Sequence, residues 1–255
     1  MVRRAFTLIE LLVVVGIIAT ISAIAMPALV SVRDAAYQFA AVQSIRGLAM
    51  ATSMYSMDHD DTYPLAMYQS ADGLVAWFGA ERGDGTFDPA RGLLAPYSNG
   101  RAARDASFKA YDYLGDHSGF GYNWGAIGSD FNITGDYTGF PNCQNPARAN
   151  EIERPSEVVG FATSAYFFAP WLPDGDGAKY DFGFIDPPRL WDGRPNVDFR
   201  FGGKPEIDLE ARELRPTGTA VFLFLDGSAK TRTVLQVEDA MFERSGYNPS
   251  SGPTR

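Results

Sequence analysis

Residues 3–29 read RRAFTLIELLVVVGIIATISAIAMPAL, and the fold turns on what this run does. From Leu11 to Val32 no side chain is ionisable. At about 1.5 Å rise per residue, such a run spans the roughly 30 Å apolar core of a bilayer as one helix. Arg3 and Arg4 precede it with no acid between them and the terminus. Positive charge beside a span stays on the cytoplasmic side, so the rest of the chain is expected outside. Glu10 is the anomaly, because a carboxylate in an apolar helix is costly to insert and is kept where it has a partner or a task.

Three readings of the segment compete. A secretory signal accounts for the Arg pair, the apolar run and the Ala23-Ile24-Ala25 pattern, with cleavage after Ala25, but leaves Glu10 without a purpose. A permanent anchor leaves it equally idle. Cleavage between Ala5 and Phe6 instead creates a terminal ammonium about one helical turn from Glu10, or beside Glu10 of a packed neighbour.

The short basic leader, the small Ala5 and the following FTLIELLVVVGIIATISAIAMPAL resemble the class III signal of type IV pilins and type II secretion pseudopilins. The resemblance implies that a prepilin peptidase cuts before Phe6 and methylates its amine. It also implies that Glu10 guides recruitment and register when subunits leave the membrane and stack. Ala5 replaces the commoner Gly before the cut, and Pro27 falls where the family often has a proline. Pro27 removes one helical N–H and is expected to kink or locally melt the helix.

Beyond Pro27 the residues Phe39, Val42, Ile45, Leu48, Thr52 and Tyr55 recur at spacings of three or four, which predicts one buried stripe on an amphipathic helix. Arg33, Asp34, Gln38, Gln43 and Arg46 take the other face, and Gly47 weakens the helix by roughly 1 kcal/mol relative to Ala. The sequence DHDDTYP ends it, since Pro64 disfavours helix at Tyr63. Asp58, His59, Asp60 and Asp61 read as a solvated junction rather than a metal site, because consecutive carboxylates do not converge on any regular element.

From residue 65 onwards Gly and Pro are frequent, and strands are expected at LVAWF, EVVGFAT and AVFLFL. In TAVFLFLDGSAKTRTVL, Asp226-Gly227 signals a two-residue hairpin. Its apolar first strand should be central and its second, carrying Lys230 and Arg232, nearer an edge. Together with SIRGLAMATSMYSMDHDDTYP, GFGYNWG and ERPSEVVGFATSAYF, this stretch resembles the bacterial group with a prepilin-type, processing-associated His-x9-Asp-Gly motif. The name-giving histidine is absent, for Pro216 stands ten residues before Asp226.

The expected architecture is therefore α+β and pilin-like, with a long N-terminal helix packed on a mainly antiparallel β head with long loops. Its parts are a leader over 1–5, a helix over 6–58 that is membrane or filament core to residue 32 and amphipathic from 33, a head over 62–243, and a mobile tail over 244–255. The resemblance implies a structural filament subunit of the inner membrane, single-pass with a cytoplasmic N-terminus, later periplasmic or extracellular. Its implied partners are prepilin peptidase, like or related subunits, and the membrane before assembly.

Other chemistry is sparse. The net charge of −9 argues against nucleic acid, which needs clustered Lys and Arg. Cys143, the single cysteine, cannot form an internal disulfide and reads as a small core or loop residue. His59 and His117 are the only histidines, and no nucleophile sits in an elbow, so no enzyme is expected. Asp174, Asp176 and Asp181 in PDGDGAKYD offer oxygen ligands, and some secretion pseudopilins hold calcium in a head loop. Their spacing fails the EF-hand pattern, so a plain turn with no cofactor is the favoured reading. Trp77, Trp124, Tyr166, Phe167, Phe168, Trp171 and Trp191 raise a sugar-binding platform, with core packing the commoner use of such residues. That platform on a membrane-anchored, non-polymerising surface module is the alternative function.

Overall fold

The apolar run is the first half of a single helix. The computed structural model describes residues 8–100, 104–116, 118–167, 177–191, 193, 195–204, 207–208, 210 and 213–244. Helix α1 covers Leu8–Asp58, 51 residues, and so extends about 75 Å. It passes Pro27 without a break, so the expected local melting does not occur; the proline forfeits only the bond that its missing N–H would give to Ala23.

The second half of α1 docks through Ala41, Ile45, Leu48, Ala51, Thr52 and Tyr55, all buried. Phe39 is not in this stripe and stands 66% exposed. Three residues advance a helix by about 300° and six by about 600°, which carries Phe39 well off the Ile45 face; the small Ala41 takes its place. Leu48 and Ala51 can meet the head closely because α1 is alanine-rich along this side.

Among the described residues the head holds fourteen strands in four sheets. A meander of β1 (Met67–Ser70), β2 (Gly73–Ala76), β3 (Gly79–Glu81) and β4 (Phe87–Asp88) comes first. Then follow β5 (Tyr111–Leu114), β6 (Phe120–Asn123), β7 (Val159–Thr163), β8 (Tyr166–Phe167), β9 (Lys179–Phe182) and β10 (Phe184–Ile185). A small hairpin of β11 (Ile207–Asp208) and β12 (Glu213–Leu214) precedes β13 (Thr219–Phe224) and β14 (Ala229–Thr233).

The central sheet has the order β10-β6-β7-β13-β14, antiparallel except for β10 beside β6. Both faces of β13 are covered. Val221 and Leu223 join the core that faces α1, while Ala220, Phe222 and Phe224 join a second cluster with Val159, Phe199 and Phe242. This is why the strand is apolar throughout, and β14, where Lys230 is exposed and Arg232 half-buried rather than facing fully out, forms the edge. A register shift between Leu223 and Phe224 puts one extra residue in β7, so Val159 and Phe161 face opposite cores although two positions apart.

The expected strand at LVAWF ends at Ala76; Trp77 and Phe78 turn inward and are fully buried. At the other end of the head Arg244 is pinned rather than mobile. Its Nε donates to the Ala126 carbonyl at 2.6 Å, and its guanidinium pairs with Glu151 at 2.9 Å. Arg244 is thus no part of the mobile tail expected over 244–255, and residues 245–255 lie outside the described ones.

Candidate functional site

Glu10 lies in the first described turn of α1, at the head of its apolar band. Ala5 and Phe6 lie outside the described residues. Downstream of Glu10 the large apolar side chains all face outward, from Leu11 and Leu12 at 59% and 65% exposed to Leu29 and Val32 at 64% and 66%. The few hydroxyls close on their own helix: Thr20 donates to the Gly16 carbonyl at 2.8 Å and Ser31 to Ala28 at 2.9 Å. No open donor is left at those two positions for an apolar medium to penalise. This helix is long and apolar enough, by length and composition, to cross a membrane. Arg33 and Asp34, 3.9 Å apart, mark where polar surface begins.

Asp226 and Gly227 form the tip of the β13–β14 hairpin, but the loop has three residues. Phe224 pairs with Ser228, Gly227 donates to the Phe224 carbonyl at 2.9 Å, and Gly227 has φ +82°. Asp226 accepts the Ser228 N–H at 2.8 Å, closing the turn from within. A left-handed glycine after a type I turn lets the strands twist together, a geometry the two-residue expectation overlooked. Leu225 and Asp226 also donate to Val158 and Pro155, which ties the tip to the chain entering β7.

The junction carboxylates do not converge. Asp60 and Asp61 sit at φ +52° and +57°, Asp58 accepts from the Tyr97 hydroxyl at 3.1 Å, and His59 Nδ1 lies 2.8 Å from the Tyr55 carbonyl. Of the calcium candidates, Asp174 and Asp176 lie outside the described residues. Asp181 is buried, its carboxylate resting where a side chain on Gly115 would stand. Burial raises neighbouring Asp116 to about 6; hydrogen bonds from Ser118 oppose the shift and the Asp181 charge adds to it. Among the described residues no three His, Cys, Asp or Glu side chains gather to hold a metal. Burial likewise pushes the Cys143 thiol up to about 11, which leaves it protonated and unreactive.

The proposed aromatic platform is redistributed. Trp77 is core, and Trp124 and Trp191 both donate their indole N–H to the buried Asp186, at 2.6 and 3.2 Å. Asn132 and Asn196 complete that cradle. Burial still raises the Asp186 carboxyl despite these four donors. Phe168 and Trp171 lie outside the described residues.

An aromatic surface does exist elsewhere, on the sheet ordered β5-β9-β8. Alternation puts Tyr180 and Phe182 on one face of β9 and Lys179 and Asp181 on the other. Tyr111 lies tilted against Tyr180 at 5.6 Å, and Tyr113 stacks near Tyr166 and Phe182 at 6.0 and 6.2 Å. Tyr111 and Tyr113 are 66% and 56% exposed. The alternating tyrosines of YDYL and KYDF were the available signal, hidden because β5 and β9 pair from distant parts of the chain.

One long apolar N-terminal helix carried on mixed β-sheets is a pilin-like α+β layout. Residues 1–26 match the family model of the prokaryotic N-terminal methylation motif, the prepilin-type signal of type IV pilins and pseudopilins. No curated protein and no solved structure matches the chain. The chain thus carries a prepilin-type signal on a pilin-like layout, with an N-terminal helix long and apolar enough to cross a membrane.

Proposed function

We propose that the protein is a structural, non-enzymatic subunit of a type IV pilus-like or type II secretion pseudopilus filament. It enters the inner membrane with its N-terminus cytoplasmic, is cut before Phe6 and methylated there, and assembles through α1 with like or related subunits. The observation that carries this reading is the exposed apolar band of α1, continuous with the head and headed by Glu10. Burying each large apolar side chain contributes about 1.5–3 kcal/mol, so the band far outweighs the few kcal/mol that one carboxylate costs. Membrane and helix bundle are the two environments that bury such a band. Glu10, close to a new Phe6 ammonium, then sets axial register.

Mass spectrometry of the N-terminal peptide from membrane and sheared surface fractions tests the reading. An N-methylated Phe6 terminus in the sheared fraction is the expected result. A terminus at Met26 in that fraction would instead mean a secreted protein, and an intact Met1 a permanent anchor.

The tyrosine face of β5, β8 and β9 favours a second reading, a membrane-anchored module that contacts surface glycans without polymerising. Aromatic rings present a flat apolar surface with polar hydroxyl rims, which suits sugar rings. Retention of the full chain on polysaccharide beads, lost in Tyr113→Ala, together with no polymer in sheared fractions, would favour it over the filament.

A further inference from the structure

We infer that a cleft between the emerging helix and the head is a site for the phosphodiester headgroup of an anionic phospholipid. The inference rests on the membrane reading of residues 8–32. The cleft has a volume of about 580 Å³ and is walled by Arg33, Asp34 and Tyr37 of α1 and by Lys109, Lys179 and Arg200 of the head. Arg33 is the first charge after the apolar band, so the helical wall lies within about one turn of the plane where that band ends.

The charges inside sort into spent and available. Arg200, almost fully buried, pairs with Asp105 at 3.2 Å and Asp198 at 3.0 Å and donates to the Gly119 carbonyl. Lys179 pairs with the same Asp198 at 2.9 Å. Arg33 has Asp34 at 3.9 Å, with both side chains well exposed. Lys109 is exposed and has no ion-pair or hydrogen-bond partner among the described residues. Among the described residues four cations thus meet the three carboxylates Asp34, Asp105 and Asp198, which leaves one positive charge at the cleft in a chain of net charge −9. A phosphodiester carries one negative charge.

The walls match the rest of a lipid. Phe167 and Tyr37 give the cleft apolar sides, and below it the exposed Leu29 and Val30, one turn before Arg33 and Asp34, offer acyl chains a track. Charge at the polar end and apolar surface running into the membrane suit an amphiphile held at the boundary better than a soluble anion.

The test uses the full chain in nanodiscs of phosphatidylcholine, with or without phosphatidylglycerol, and follows acylation of Lys109 by an amine-reactive reagent. Lys204, exposed beside cleft residue Gly203, reports the general surface field. Phosphatidylglycerol should slow Lys109 about five-fold more than Lys204, and Arg33→Gln should roughly halve that protection. Equal slowing at both lysines would mean diffuse surface charge alone and would overturn the site. Equal protection by inorganic phosphate in pure phosphatidylcholine discs would make it a free-phosphate site and overturn the lipid assignment. Co-elution of the chain with the discs is read separately. Absence from the discs would bring down the membrane reading and the lipid with it, whereas insertion without protection overturns the lipid site alone.

Discussion

Trp77 and Gly183 join two sheets that no strand pairing connects. The Trp77 indole N–H donates to the Gly183 carbonyl at 2.6 Å, across 106 residues, from the meander to the turn between β9 and β10. The same carbonyl accepts the Tyr122 N–H at 3.0 Å, and the Gly183 α-carbon is pressed by the Phe78 ring, which a Cβ would meet at 2.3 Å. Trp77→Ala should cost about 3–5 kcal/mol, and Gly183→Ala about 1–3 kcal/mol through overpacking, both read by denaturant unfolding of the detergent-solubilised chain. Wild-type stability in Gly183→Ala would show that Phe78 yields easily.

Glu10→Ala should insert and be processed as the wild type is, while its yield in sheared filaments falls by at least about tenfold. That corresponds to a loss of roughly 1.4 kcal/mol or more where a Phe6 ammonium goes unpaired in an apolar bundle. Normal yield would remove the register role and leave apolar burial as the whole of assembly.

Asp116 carries a pH signature of opposite sign to an ordinary ion-paired carboxylate. Its folded value is about 6 against an ordinary 3.8, so between those limits the folded chain holds the proton more firmly. The stability this group contributes is complete below about pH 4 and lost as pH rises through 6. The change is up to about 2 kcal/mol after allowance for the solvent its partly exposed carboxyl retains. Asp116→Asn should therefore be more stable relative to the wild type at pH 7 than at pH 4. A pH-independent difference in Tm would refute the assignment.

Gly227→Ala tests whether the Asp-Gly pair is a turn and nothing more. Nothing lies within 4 Å of a Cβ there, so the cost is conformational, about 1–2 kcal/mol for φ +82°, and Gly227→Asn should cost less. Equal losses from both substitutions would point to a role beyond backbone shape. Asp226→Ala should also destabilise, by roughly 1 kcal/mol, through the lost bond to Ser228.

How much was legible follows from the range of the interactions. The close of α1 at Asp58 and the interior place of β13 could be read because periodicity and an unbroken apolar strand are local signals. Phe39 misled because an apolar residue at spacing three fits the pattern while drifting off the face, and Ala41 and Ala51 are too small to draw notice. The Asp186 cradle draws its donors from residues 124, 132, 191 and 196, which no spacing rule connects. The basic cleft was equally invisible, since Arg33, Lys109 and Lys179 meet only after α1 lies against the head.

The unbroken course of α1 past Pro27 has a mechanical meaning. Anchor and head share one rod with no slack between them, so a pull on the head loads the backbone hydrogen bonds of the span directly. The seam from Ala41 to Tyr55 takes the same load in shear, where many contacts resist together. Lifting the rod by one helical turn would raise the head by about 5.4 Å, with little lost to stretching of a linker.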